Sequence, residues 1–511
     1  MTKAAGHVLA LDQGTSSSRA IVFDILARPV ASAQHELRSS FPQLGWVEQD
    51  ADEIWRTQLR SGREALAAAG LAAADVAAIG ITNQRETTIA WDAASGRPLA
   101  PAIVWQDRRT ADRCAALRAE GLESLVRSRT GLLLDPYFSA TKMAWLLDHL
   151  PDGHARAAAG ELRLGTVDAW LVDRLTGSRT MATDVSNASR TMLLDLATRD
   201  WSPDQLRLFG VPAASLPEVR PTDGGFGLTD PEHFGAEIPV AAVVGDQQAA
   251  LFGQLCLAAG QAKNTYGTGC FLLETTGSLV PAPPEGLLAT IAWQRTAPVA
   301  GSAPIDDAGA LAYALEGSVF VAGAAVRWLR DGLGIIHDAD DVQALAASVP
   351  DSGGVVFVPA FAGLGAPYWD PDARGTITGV TAGTTSAHLA RATLEAIAHQ
   401  VVDLVAALEV GGAPHLDVLR ADGGASSNDL LLQVQADLLG RPVERAAVAE
   451  TTALGAALLA GRAVGVWAHD AELADLIGVG ARFEPVMPAS RRDAERARWA
   501  EAVARTRSRP A

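Results

Sequence analysis

The string DQGTSSSR at residues 12–19 gathers, within one short loop, the groups that a polyphosphate requires. Gly14 permits a tight turn, Thr15, Ser16 and Ser17 offer hydroxyls, and Arg19 offers a fixed cationic fork. Asp12 adds a carboxylate within reach of a hydrated metal ion. The plain alternative is a polar hairpin whose Ser and Thr side chains satisfy their own turn. Two further glycine turns, Tyr266-Gly267-Thr268-Gly269 and Asp422-Gly423-Gly424-Ala425, also follow strand-like runs and shift the balance toward a phosphate site. Asp246 ends the apolar run Val240–Val244, where a carboxylate without a partner would be costly. It suits a base that takes the proton of a hydroxyl attacking a phosphoryl group. The pair Arg85-Glu86 follows the strand-like Val76–Thr82 and, read alone, is an exposed ion pair of small worth.

These residues need elements to hold them. His7–Leu11 and Ala20–Phe23 predict a hairpin around the first loop, and Gln261–Thr265 with Phe271–Glu274 predict a second around Tyr266–Gly269. The self-similarity suggests two related α/β halves meeting near 253–260. Thr141–Leu150 places Met143, Leu146, Leu147 and Leu150 on one helical face, and Ser386–Leu408 repeats the pattern over a longer stretch. The third turn lies between the strand-like Leu416–Ala421 and a helix expected from Ser427 to Leu439, with Gly440 as its stop. A helix N-terminus would thus open beside two glycines, a suitable wall for a nucleotide. Thr296–Ala310 is aperiodic and reads as a surface insertion or loop. The Arg-rich stretch Ala489–Ala511 reads as a solvated terminal helix rather than a binding arm.

Composition narrows the classes. With 511 residues, two to four domains are expected, and 48% hydrophobic residues support a large core. A formal charge of −17 argues against nonspecific binding of nucleic acid, so anionic ligands need a local site. Cys114, Cys256 and Cys270 lack any metal-ligand or disulfide spacing, which fits a reducing cytoplasm. The N-terminal apolar run ends at Asp12, too soon for a signal segment, and Ala241–Gly260 carries Asp246 and three glutamines, so no membrane span is expected.

Beyond the loops already named, GITNQRETT (80–88), IVWQDRRT (103–110), GDQQAALFGQ (245–254), NTYGTGCF (264–271), GLGAPYWDP (363–371), DGGASSN (422–428) and the segment Tyr137–His149 complete a pattern. Over nearly its whole length the chain resembles the FGGY family of carbohydrate kinases. The resemblance implies two RNase H-like α/β domains of the actin, sugar-kinase and heat-shock ATPase kind, residues 1–254 and 255–511, around an interdomain cleft. It implies transfer of the γ-phosphoryl group of ATP to a terminal hydroxyl of glycerol, with Mg²⁺ held by Asp12 and Asp246, and Asp246 as the catalytic base. Arg85, Glu86, Tyr137, Asp246 and Gln247 would hold the polyol, with Trp105 and Phe271 as apolar walls. The indole of Trp105 is expected to touch only the polyol. Thr15, Ser16, Ser17 and Arg19 would face the transferring group, with Thr268, Gly323, Gly424 and Asn428 around ADP. Expected partners are glycerol and ATP/ADP, with no nucleic acid, and the expected assembly is a homo-oligomer, dimer or tetramer.

Three positions depart from the family pattern. Arg327 stands near the nucleotide where some relatives carry Gln. Acidic Glu237 stands where bisphosphate-inhibited relatives carry Arg, so a bisphosphate should be repelled. His233 lies close to the histidine that a phosphocarrier protein modifies in some relatives, the plain alternative being a surface-loop histidine. Two other readings stay open: a kinase of the same family for another polyol or a pentulose, and an ATP-hydrolysing binding module without a small acceptor.

Overall fold

The computed structural model describes residues 6–296 and 310–508; of the expected loop at 296–310, residues 297–309 lie outside the described residues. Two sheets dominate. The first runs β5-β4-β1-β2-β3, built from β1 (His7–Gln13), β2 (Ser17–Phe23), β3 (Pro29–Glu36), β4 (Val76–Asn83) and β5 (Val240–Gly245). The second contains β6 (Ala262–Tyr266), β7 (Cys270–Gly277), β8 (Leu288–Gln294), β9 (Leu311–Val319), β10 (Leu419–Asp422), β11 (Val443–Ala446) and β12 (Val479–Phe483). Its order is β8-β9-β7-β6-β10-β11-β12.

The two sheets repeat one plan. β1 pairs antiparallel with β2 and parallel with β4, which pairs parallel with β5. Likewise β6 pairs antiparallel with β7 and parallel with β10, which pairs parallel with β11. Both expected hairpins therefore form, each opening its own sheet. The central parallel strands are apolar on both faces because both faces are covered, as the fully buried Val240–Gly245 illustrates.

The covering helices include α1 (Ser139–His149), α2 (Asp246–Gly253), α3 (Gly323–Asp331), α4 (Ser386–Val410), α5 (Asp429–Leu439), α6 (Thr451–Ala463) and α7 (Ala489–Thr506). α2 and α6 cross between the sheets, and one core joins Val8, Ala10 and Val244 of the first sheet to Leu273 of the second through Leu454 and Leu458 of α6. The crossing needs glycine: a Cβ on Gly455 would sit 1.8 Å from the Ala249 carbonyl oxygen, and one on Gly253 2.1 Å from that of Thr451.

Some element ends differ from expectation. Leu150 lies just beyond α1, as its C-terminal cap. α5 begins at Asp429, not Ser427, because residues 424–427 form a separate 3₁₀ turn and the Asn428 carboxamide oxygen caps the helix by accepting the Leu431 N–H at 2.9 Å. Gly440, at φ 69°, ends α5 as expected. α7 is exposed on its outer face, but Trp499, Ala502 and Val503 dock its inner face in a core with Val358 and Ala396.

Candidate active site

The acceptor-side residues assemble where the first sheet ends. β4 stops at Asn83, and residues 84–87 turn directly into a second small sheet starting at Thr88, so Arg85 and Glu86 lie between two layers and are buried. The exposed ion pair read from sequence is thus absent. Their own nearest approach is 3.9 Å, and each has a better partner. Arg85 is bidentate to Glu316, donating from Nη1 to Oε2 at 2.6 Å and from Nη2 to Oε1 at 3.0 Å. Arg190 Nε donates to Glu86 Oε1 at 2.8 Å, and its Nη2 to Glu316 Oε1 at 3.0 Å. Arg85 Nε reaches toward Asp246 Oδ1 at 3.2 Å.

Asp246 is the first residue of α2, directly after β5, and its side chain keeps 31% of its surface exposed. An acid thus sits at the rim of a buried charged floor. Gln247 is buried beside it, its carboxamide oxygen accepting from Lys263 Nζ at 2.5 Å; the same ammonium donates to Thr265 Oγ1 and the Phe271 carbonyl. Burial lowers the Lys263 ammonium to about 8, against the pull of Asp422 and Asp246. Trp105 and Tyr137 meet edge to face at 5.5 Å, and burial raises the Tyr137 phenol well above its ordinary value. One expectation fails here: Trp105 is not a polyol-only wall, because its indole Nε1 donates to Thr15 Oγ1 of the first loop at 2.9 Å.

Burial works against the charged forms of Glu316, Glu86 and Asp12, and the neighbouring arginines outweigh it only at Glu316. For Glu316 they overcome it, Arg190 and Arg85 bringing the carboxyl to about 2. For Glu86 burial prevails over Arg85 and Arg190, and its value is raised. Asp12, at the end of β1, is raised to about 7 by burial, with Arg19 opposing and the neighbouring Asp246 and Glu450 adding to the rise.

The nucleotide-side residues are more open. Thr268 and Gly424 are exposed and Gly323 is half-buried. Gly323 N–H donates to the Gly267 carbonyl at 3.0 Å, and a Cβ there would stand 2.7 Å from the same oxygen, so α3 starts against the second hairpin turn. Arg327 Nη2 donates to Thr268 Oγ1 at 3.2 Å, which puts this departure from the family pattern on the same turn. The third turn joins them: Gly423 has φ 85°, and a Cβ would press on the Tyr266 backbone at 2.6 Å. Ser16 is exposed and Ser17 half-buried in the first loop, while Arg19 is paired with Glu450, just before α6.

Outside the cleft, His233 is half-buried against Trp55 at 5.0 Å and its Nε2 is hydrogen-bonded with the Arg174 carbonyl, so it is not a free surface-loop histidine. Glu237 is ion-paired with Arg179. No helix of the described residues is long and apolar enough to cross a membrane.

Family models match both halves: the FGGY family of carbohydrate kinases, N-terminal domain, over residues 7–253, and its C-terminal domain over residues 262–464. The chain belongs to this FGGY family. The glycerol kinase of Acidovorax sp. (strain JS42) is 57% identical over 98% of both chains. Among solved structures, the ADP-bound glycerol kinase of Plasmodium falciparum superposes with a TM-score of 0.90 at 35% identity, covering 98% of each chain. The xylulose kinase of Rhodospirillum rubrum superposes with a TM-score of 0.83 at 25% identity, again over 98% of each.

Sequence reasoning missed four residues gathered here: Arg190, Lys263, Glu316 and Gln248, whose carboxamide oxygen accepts from Arg85 Nη1 at 3.3 Å. The signal that marked Asp246 was present for Glu316, a lone carboxylate within the apolar run Leu311–Val319. Lys263, an isolated cation in a buried strand, carried the same mark.

Proposed function

We infer that the protein transfers the γ-phosphoryl group of ATP to a terminal hydroxyl of glycerol, giving sn-glycerol 3-phosphate and ADP. The carrying observation is the position of Asp246: half-open at the rim of a buried floor of hydrogen-bonding groups, 3.2 Å from Arg85, with Asp12 close enough to repel it. A small triol needs several enclosed polar partners and a flat apolar wall, which Arg85, Glu86, Tyr137 and Gln247 with Trp105 and Phe271 supply. Asp246 then accepts the proton as the hydroxyl attacks.

The loose transition state of phosphoryl transfer asks mainly for placement and charge neutralisation, and placement accounts for roughly 7–11 kcal/mol. Thr15, Ser16 and Ser17 donate to the transferring group, with Arg19 as its cation. Thr268, Gly323, Arg327, Gly424 and Asn428 flank ADP. The pairing of Trp105 with Thr15 ties acceptor wall to phosphate loop, so filling one side orders the other. Asp12 and Asp246 are two mutually repelling carboxylates in the cleft, a donor set that suits Mg²⁺ carried in with the phosphates. When bound, Mg²⁺ neutralises phosphate oxygens.

Asp246→Asn tests the reading. Glycerol-dependent ADP release is expected to fall about 10²–10⁴-fold with the melting temperature retained, the usual share of a positioned base. A near wild-type rate removes Asp246 from this role. The identity to a xylulose kinase keeps another acceptor in view. A panel of glycerol, dihydroxyacetone, erythritol and xylulose discriminates, and ADP release without any polyol would favour a hydrolysing module.

A further inference from the structure

Two cations and two anions close the acceptor floor: Arg85, Arg190, Glu86 and Glu316, all buried. Three of them come from the first half of the chain. Glu316 alone comes from the second sheet, in the middle of β9, where its backbone is fixed by pairing with β7 on one side and β8 on the other. Its oxygens are fully used: Oε2 accepts from Arg85 Nη1, and Oε1 from Arg85 Nη2, Arg190 Nη2 and the Ser318 hydroxyl at 3.3 Å.

The quartet is electrically balanced without Asp246. This matters because Arg85 also faces Asp246 through Nε. Were Glu316 absent, two buried guanidinium groups would share one carboxylate, and Arg85 would draw Asp246 into neutralising it. The rim carboxylate would then be held by its neighbour rather than presented to the acceptor hydroxyl. The bidentate fork also fixes the plane of the guanidinium, so Nε keeps its aim.

We propose that Glu316 is a positioning residue for the acceptor site: reaching across from the second half, it clamps Arg85 and Arg190, fixes the face that Arg85 turns to the polyol, and confines Arg85 to a single Nε contact on Asp246 Oδ1, so that the carboxylate can still act as base. This rests on the reading of Arg85 and Asp246 as acceptor-site residues.

Three variants, Glu316→Gln, Glu316→Asp and Arg85→Lys, would be assayed for KM of glycerol at saturating ATP, KM of ATP at saturating glycerol, kcat and melting temperature. E316Q is expected to raise the glycerol KM about 10-fold or more and lower kcat, with the ATP KM within about 2-fold of wild type. E316D, which keeps the charge but cannot span both Nη atoms, is expected to restore stability while recovering the glycerol KM only in part. A glycerol KM and kcat unchanged in E316Q overturns the proposal, as does an equal rise in both KM values. If E316Q does not fold, the same split in E316D decides. R85K separates the two levels. Wild-type glycerol kinetics in R85K would remove Arg85 from the acceptor site altogether, whereas an impaired R85K beside unimpaired Glu316 variants would sink the clamp alone.

Discussion

Asp12 shows how a single residue reports the state of the cleft. Its carboxyl is raised from an ordinary 3.8 to about 7, first by burial and then by Asp246 and Glu450, with Arg19 opposing. A carboxyl that holds its proton more tightly when folded stabilises the fold fully below about pH 4 and loses that contribution as pH rises through about 7. The ligand-free protein should therefore gain more stability than its Asp12→Asn variant on moving from pH 8 to pH 5, measured as the difference in melting temperature. On the proposal that Asp12 holds Mg²⁺, catalysis should run the other way, since a metal ligand must be the ionised carboxylate. The Mg²⁺ concentration for half-maximal rate is expected to rise below pH 7 in the wild type, and an unchanged requirement from pH 6 to 8 would release Asp12 from the metal. At this scale the sequence was legible wherever a loop carried its chemistry contiguously, as in residues 12–19. It was illegible for Glu316 and Arg190, because each acts through partners more than 100 positions away, and no spacing records such a contact.

Helix ends were readable where a cap residue announces them. Gly440 stops α5 because glycine accepts the left-handed conformation without penalty. The start of α5 was misplaced because Ser427 and Asn428 are both good caps, and only the geometry shows that Asn428 is used. α7 is the largely solvated terminal helix expected, but its charge pattern hides one narrow apolar stripe. Trp499 stacks on buried His399 of α4 at 5.0 Å and donates from Nε1 to Asp403 at 2.7 Å, anchoring the helix. Trp499→Ala should cost about 3–5 kcal/mol by leaving a cavity and leaving the Asp403 carboxyl with Tyr368 as its one remaining hydrogen-bond donor of the pair. Burial, aided by Arg496 and Arg498, lowers His399 to about 3, so its neutral form stabilises the fold above about pH 6.5 and that share is lost as pH falls toward 3. Urea unfolding at pH 7 and pH 5 would check both statements. A variant as stable as wild type at pH 7 would mean that α7 is merely draped over the second half.

The duplicated plan of the molecule was visible in the two hairpins, but the joining of its halves was not. α6, which the sequence reading left undescribed, is buried nearly all round from Ala453 to Gly461 and packs on the first sheet although it follows the last parallel strand of the second. That exchange packs the two halves against each other along the crossing of α2 and α6, and the approach is backbone to backbone. In Gly455→Ala the new methyl would meet the Ala249 carbonyl at 1.8 Å, a contact no side-chain rotation can relieve, so the two helices must part. Asp246 heads one of these helices and Glu450 immediately precedes the other, which means that their separation moves Asp246 and the partner of Arg19 together. The expected result is a loss of at least about 1–3 kcal/mol in stability and a fall in kcat/KM for glycerol and ATP alike, in contrast to the acceptor-selective effect of altering Glu316. Gly478→Ala serves as the control, since a Cβ there meets nothing within 4 Å. Steady-state kinetics with each substrate varied in turn would distinguish the cases. If Gly455→Ala impaired one substrate only, the helix crossing would be a local packing feature and the two faces of the cleft would be coupled elsewhere.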